Sequence, residues 1–289
     1  MTRTLSGKVA IVTGGGRGIG RADALALARA GAAVVVNDLG VACDGTGRDP
    51  GPAAAVVAEI VGAGGHAVAD TTDITDWMAA GQIVETAVTT FGDVDILVNN
   101  AGISRFAGSI DGITHDDWMR TLAVNLNGTA ALTHWVAAHW RRQGKRAGRA
   151  IVNTTSSVGL TMVSHRPNAA YAASKAAIAA LTQACAAELA DIGVRVNAVA
   201  PVARSRISEF VAPQLMKPVD DGFDRMGPDN VAAVVVHLAS SRCRLTGKIV
   251  EIKGGELAIL HGWTVDRRFD NGDAAWCDRT LDAVLAEIA

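Results

Sequence analysis

Short β-branched runs alternate with longer alanine-rich stretches along the 289-residue chain. The apolar runs cover residues 9–14, 33–38, 66–70, 95–100, 150–156, 194–201 and 248–255, and helical periodicity predicts helices over 19–30, 52–63, 75–91, 115–142, 169–191 and 229–239. The strand-like runs are mostly continuous in Val, Ile and Ala, so both faces of the sheet they form are covered. Strands joined through helices run parallel by right-handed crossovers. The predicted fold is α/β: a single doubly wound domain of Rossmann type, with a parallel sheet of about seven strands and helices on both faces. No repeat, linker or charge block divides the chain, so residues 1–289 are read as one domain with a C-terminal extension from about residue 256, ending in a helix-like TLDAVLAEIA.

Charge and composition exclude several functions. With 27 Lys+Arg against 29 Asp+Glu the net charge is −2, which gives no basic footprint for nucleic acid or an anionic membrane. Apolar stretches break well before the ~18 residues that a membrane span needs. The first strand begins at Val9 and leaves no room for a signal peptide, so a soluble, cytoplasmic protein is expected. Cys43, Cys185, Cys243 and Cys277 lie far apart without a C-x-x-C pair, and His134 and His139 are five apart, off a common helical face. Neither disulfides nor a metal are expected.

The first strand runs directly into Thr13-Gly14-Gly15-Gly16-Arg17-Gly18-Ile19-Gly20, which opens a helix. Glycines at such a junction let backbone approach a pyrophosphate, and the helix N-terminus offers unpaired N–H groups to the anion. The spacing fits T-G-x-x-x-G-x-G through Gly14, Gly18 and Gly20. Asp38 ends the second strand, where a carboxylate accepts hydrogen bonds from an adenosine ribose 2′-OH and repels a 2′-phosphate. NAD is therefore expected over NADP, although the Arg17 guanidinium is placed to pair with such a phosphate. Asp73, after the third strand, is read either as a partner for the adenine amine or as a helix cap.

The chain has one tyrosine, Tyr171, in Tyr171-Ala172-Ala173-Ser174-Lys175. Residues i and i+4 share a helix face, so phenol and ammonium can serve one site. A free phenol, with a pKa near ~10, is a poor acid–base catalyst at neutral pH, and a nearby cation favours the phenolate. The pair follows a strand ending in Asn153-Thr154-Thr155-Ser156-Ser157, whose hydroxyls can reach the same cleft.

Together with Asp38 and Asn99-Asn100-Ala101-Gly102, this order of motifs resembles the short-chain dehydrogenase/reductase family over about residues 5–255. The resemblance implies that Tyr171 is the general acid/base, that Lys175 lowers its pKa and binds the nicotinamide ribose, and that Ser156 hydrogen-bonds the substrate oxygen. It implies that Asn125, in VNLNG, lies in a helix distortion that holds a proton-relay water. Ile19, Ile74, Asn100, Ala101, Gly102 and Val202 are implied to line the cofactor with the glycine loop. Two departures stand out: the family's serine position, thirteen before the tyrosine, is Val158, so S-x-x-G matching to Gly159 selects Ser156 with Ser157 as alternative. Pro201-Val202 replaces the usual Pro-Gly.

The segments VNDLGVACDGTG, APVARSRI and GGELAILHGW resemble the (3R)-hydroxyacyl-CoA dehydrogenase part of peroxisomal D-bifunctional enzymes. This implies an acyl-CoA thioester or steroid alcohol as substrate, NAD as cofactor, and a homodimer or homotetramer. Residues 205–227 are read as a substrate-facing segment in which Phe210, Val211, Leu215, Met216 and Phe223 either line an apolar pocket or pack on the core as a lid helix, and Arg204 and Arg206 are read either as partners of a CoA phosphate or as solvated surface charge. The rival readings are an NADPH-dependent 3-oxoacyl-carrier-protein reductase and a non-catalytic dinucleotide-binding protein.

Overall fold

The computed structural model describes residues 3–105, 108–161, 168–219, 221–262, 268–270, 275, 277 and 280–281. The strands are β1 (Val9–Thr13), β2 (Ala33–Asn37), β3 (His66–Asp70), β4 (Ile96–Asn99), β5 (Ala150–Thr154), β6 (Arg195–Pro201), β7 (Ile249–Lys253) and β8 (Glu256–Leu260). They form one sheet in the order β3-β2-β1-β4-β5-β6-β7-β8. The first seven are parallel, with Val12 level with Val36 and Val98 level with Val152. Only β8 pairs antiparallel, on β7.

The helices are α1 (Gly18–Arg29), α2 (Gly51–Gly62), α3 (Ala80–Phe91), α4 (His115–Leu122), α5 (Gly128–Gln143), α6 (Ala169–Glu188), α7 (Arg206–Val211) and α8 (Asp229–Ala239). Alternate strand residues point to opposite faces. Ala10, Val12, Val34 and Val36 therefore pack with α1, α2 and α8, whereas Ile11, Val35, Leu97 and Ile151 pack with α3, α5 and α6. Strand order reverses between β1 and β4, which opens a crevice above their carboxyl ends.

Three expectations need correction. The sheet has eight strands, because residues 256–260, assigned to the extension, return as β8 through a turn at Gly254, whose φ is +59°. The helix predicted from 75 starts at Ala80. Asp73 accepts from Thr75 N, and Asp76 accepts from Met78 N and Ala79 N, so side chains take the N–H groups a helix would use. The helix predicted over 115–142 is interrupted by a π-helical segment, Ala123–Asn127, between α4 and α5. Of the helix-like ending, only Thr280 and Leu281 fall among the described residues, and there they are helical. No helix among the described residues is long and apolar enough to cross a membrane.

Candidate active site

A cleft of about 390 Å³ lies over the strand ends and is lined by Gly14, Arg17, Gly18, Asp38, Asp73, Ile74, Ser156, Tyr171, Lys175 and Val202, among others. That volume falls in the range of small-molecule sites.

At one end lies the glycine loop. Gly14 has φ +61°, and a Cβ there would stand 2.9 Å from Ala101 Cα; one on Gly20 would stand 2.2 Å from Gly14 O. These glycines let the loop, α1 and the β4 turn interlock. Thr13 Oγ1 accepts from Asn100 N and Ala101 N, both at 3.1 Å, and Asn100 Nδ2 donates to Thr13 O at 3.0 Å. Gly18 has φ +54°, and a Cβ there would meet only Ser205, at 3.9 Å. α1 starts with no side-chain cap and no acid in its first turn, so its leading N–H groups are available to an anion. Asp38 is buried at the end of β2; its Oδ2 accepts from Gly16 N at 2.8 Å and its Oδ1 from Gly40 N at 2.7 Å. A Cβ on Gly16 would lie 2.7 Å from that Oδ2. This glycine cradle, uncapped helix end and fixed carboxylate fit a dinucleotide. Asp73 is engaged locally, by Thr75, and pairs with Arg48 at 3.5 Å. It does not cap α3.

At the other end, α6 is placed by its cap and its docking on β5. Asn168 Oδ1 accepts from Tyr171 N at 3.1 Å, and Asn168 Nδ2 donates to Ser104 Oγ at 2.8 Å. Thr155 Oγ1 donates to Lys175 O at 2.6 Å, which fixes the second turn. The Lys175 ammonium is buried, donates to Thr154 O at 2.8 Å and stands 5.7 Å from the centroid of the Tyr171 ring. Burial lowers the Lys175 pKa to about 8. The Tyr171 hydroxyl is shifted the other way: burial raises its pKa, and the hydrogen bond with Ser156 pulls against that rise. The lowering expected from the neighbouring ammonium is thus not the leading influence on the phenol in this structure.

The two candidate serines part company. Ser156 shares a hydrogen bond with Tyr171 and accepts from Val158 N at 3.1 Å. Ser157 donates to Glu251 Oε2 on β7 at 2.5 Å. Gly159, at φ +89°, allows this turn to lie on α6, since a Cβ there would come within 2.4 Å of Ala172 O.

Asn125 is fully buried within the π-helical segment. Its Oδ1 accepts from Ile103 N at 2.8 Å, and its Nδ2 donates to Ile103 O at 3.1 Å and Ser174 Oγ at 3.0 Å. The amide is therefore committed to holding the turn after β4 against α6. Gly102 lies between that amide and Lys175: a Cβ on it would stand 3.3 Å from Asn125 Oδ1 and 3.4 Å from Lys175 Nζ. Val202 N donates to Ile252 O at 2.8 Å, and among the described residues no non-glycine has positive φ, so the turn after Pro201 does not require the family's glycine.

Arg204 and Arg206 brace the lid with protein partners. Arg204 donates to Met216 O at 2.7 Å and pairs with Asp224 at 2.5 Å, while Arg206 donates to Val41 O at 2.8 Å. Phe210, Val211 and Met216 line the cleft, whereas Leu215 and Phe223 are exposed outside it. Sequence reasoning also missed residues 39–50 as a cover: Arg120 donates to Gly45 O at 2.6 Å and Ser104 N to Cys43 O at 3.3 Å. The glycine-rich, polar character of that segment gave no periodic signal.

A crevice at the strand ends, with a dinucleotide cradle at one end and a hydroxyl, phenol and ammonium at the other, defines an oxidoreductase of the Rossmann class. The chain belongs to the short-chain dehydrogenase family, whose sequence profile matches residues 8–208; the family binds a nicotinamide dinucleotide. It is 37% identical over 297 residues to hydroxyacyl-CoA dehydrogenase ChsB1 of Mycobacterium tuberculosis, covering 99% of this chain and 90% of that one. It is also 37% identical over 255 residues to peroxisomal multifunctional enzyme type 2 of Drosophila melanogaster, covering 88% of this chain but 40% of that longer protein. A crystal structure of a short chain dehydrogenase from Mycobacterium avium superposes with a TM-score of 0.86 at 42% identity, covering 98% and 95% of the two chains.

Proposed function

We propose that this protein is an NAD-dependent dehydrogenase that interconverts a secondary alcohol and a ketone, acting on a 3-hydroxyacyl-CoA thioester or a hydroxysteroid. The observation that carries this reading is the Ser156–Tyr171 contact beside the buried Lys175 ammonium, in one cleft with the glycine loop. The acyl-CoA side draws support from the relative named a hydroxyacyl-CoA dehydrogenase, which this chain matches nearly end to end. NAD is favoured by the buried Asp38 carboxylate. A cytoplasmic homodimer or homotetramer completes the proposal.

Gly14, Gly18, the N-terminus of α1, Asp38, Ile74, Asn100, Ala101, Gly102, Val202 and Lys175 would hold the cofactor. When bound, its nicotinamide accepts hydride from the carbinol carbon. The Tyr171 oxygen takes the alcohol proton during oxidation and returns it to the ketone oxygen in reduction. Ser156 donates a hydrogen bond to that same substrate oxygen. Lys175, held on Thr154 O, supplies the positive charge that offsets the cost of ionising a buried phenol. Asn125 is a positioning residue that braces the turn after β4 against α6.

A panel of 3-hydroxyacyl-CoAs and hydroxysteroids, assayed with NAD by the rise of NADH absorbance, tests the proposal. Turnover with at least one class, lost in Tyr171→Phe, is expected. Turnover confined to NADPH and 3-oxoacyl carrier protein would replace this reading with the reductase one.

A further inference from the structure

Arg17 lines the adenosine end of the cleft, Arg48 lies in an adjoining hollow that shares Asp73 with it, and each is already claimed by a carboxylate. Arg48 Nη2 lies 3.5 Å from Asp73 Oδ2, and Arg17 Nη2 lies 3.4 Å from Asp49 Oδ2. Arg17 belongs to the glycine loop and lines the cleft. Asp49 is the anchored member of its pair. Its Oδ1 accepts from Gly51 N at 2.9 Å where α2 begins, and its own N–H donates to Leu39 O at 3.2 Å. Its backbone is folded onto Gly40, at φ +73°, where a Cβ would overlap Asp49 O at 1.7 Å. Residue 40 follows Asp38 by two, so this folding brings Asp49 back to the site where a ribose 2′ substituent is sensed.

We infer that Asp49 is a cofactor-selectivity residue that acts by holding and neutralising Arg17. The inference rests on the proposed dinucleotide function and adds a second determinant to Asp38. With Arg17 turned to Asp49, a 2′-phosphate meets the Asp38 carboxylate and a cation already paired. Released, the planar guanidinium of Arg17 can give two parallel hydrogen bonds to phosphate oxygens. The Arg17 and Asp49 side chains are 37% and 55% exposed, so their pair adds little to stability. Its effect falls on what Arg17 is available to bind.

The test measures binding, independently of turnover, by calorimetric titration of the full chain with NAD, NADP and adenosine 2′,5′-bisphosphate. Asp49→Asn keeps an oxygen for Gly51 N but removes the charge; Asp49→Ser is the second variant, and thermal unfolding checks that both are folded. NADP and the bisphosphate should bind on the order of tenfold more tightly to either variant, with NAD affinity changed by less than about twofold. Adding Arg17→Ala should erase the gain, and raising salt should shrink it. An unchanged NADP-to-NAD affinity ratio in both variants, or a gain that survives loss of Arg17, overturns the inference while leaving the proposed function standing. Wild-type protein that binds neither dinucleotide would overturn both.

Discussion

Lys175 is buried beside Tyr171, its Nζ 5.7 Å from the ring centroid and hydrogen-bonded to Thr154 O at 2.8 Å. No carboxylate pairs with it among the described residues. An ammonium placed there costs folding free energy, and its pKa accordingly falls from 10.5 to about 8. The protein keeps a destabilising cation where the phenol needs one.

Lys175→Met should therefore abolish turnover yet make the ligand-free protein more stable near neutral pH. The folded pKa lies below the unfolded one, so the unfolded chain binds more protons between about 8 and 10.5, and stability of the wild type rises with pH across that window. The full displacement is worth about 3 kcal/mol at ~1.4 kcal/mol per pH unit, less the hydrogen bond to Thr154. Urea unfolding at about pH 7 should show the variant ahead by about 1–3 kcal/mol, and at about pH 9.5 by less than half of that. A gap independent of pH would mean that the ammonium is not the source of the cost.

Tyr171→Phe removes the proton acceptor while keeping the ring. Turnover should fall by about 10²–10⁴-fold, with dinucleotide affinity within about threefold of wild type. Burial holds the phenol above its ordinary pKa, so alcohol oxidation by the wild type should speed up as pH rises and ketone reduction should slow. Steady-state rates in both directions across pH would expose a different base if the two profiles ran parallel.

The neighbouring serines should separate activity from stability. Ser156→Ala removes the partner of Tyr171 and should cut kcat by about 10²-fold with little change in melting temperature. Ser157→Ala strips Glu251 of a hydrogen bond and should cost about 1–3 kcal/mol of stability, with a smaller effect on kcat. Comparable kcat losses in both variants would count against assigning the substrate oxygen to Ser156.

Much of this arrangement is legible in the sequence, because its signals are local. Val9–Thr13, Ala33–Asn37 and Ala150–Thr154 are apolar runs that a two-faced sheet buries, and all three strands lie where the pattern put them. Tyr171 and Lys175 were tied by helix period alone. The hidden parts depend on contacts distant in sequence or on side chains overriding the backbone. The π-helical segment has no periodic signature of its own, and only the family resemblance points to a helix distortion at Asn125; it is held by Asn125 bonding Ile103, 22 residues away. Asp73 and Asp76 delayed α3 by capturing backbone N–H groups. β8 did carry a readable sign: KIVEIK and ELAIL flank Gly254-Gly255, a two-residue hairpin turn. Nothing local to Ser156-Ser157 revealed that Glu251, 94 residues beyond Ser157, would take the second hydroxyl.

Asp93, at the opposite end of the sheet from the cleft, should govern acid stability. Burial alone would raise its pKa, but hydrogen bonds from His139, Gln143, Val94 N and Arg146 outweigh that and hold the carboxyl well below the usual range. His139 Nε2 and Gln143 Nε2 both reach Oδ1 at 2.9 Å, and Arg146 Nη1 reaches Oδ2 at 2.5 Å. A folded pKa below the unfolded one gives stability that is fully present above the unfolded value of about 3.8 and lost as pH falls toward the folded one. Asp93→Asn should thus cost about 1–3 kcal/mol at neutral pH, since the donors gathered on the carboxylate lose a charged acceptor. Below about pH 3.8 the wild type gives up the same interaction and the two unfolding midpoints should converge. Midpoints that stay apart by a constant amount down to the acid limit would assign the loss to altered packing and not to the carboxylate's charge.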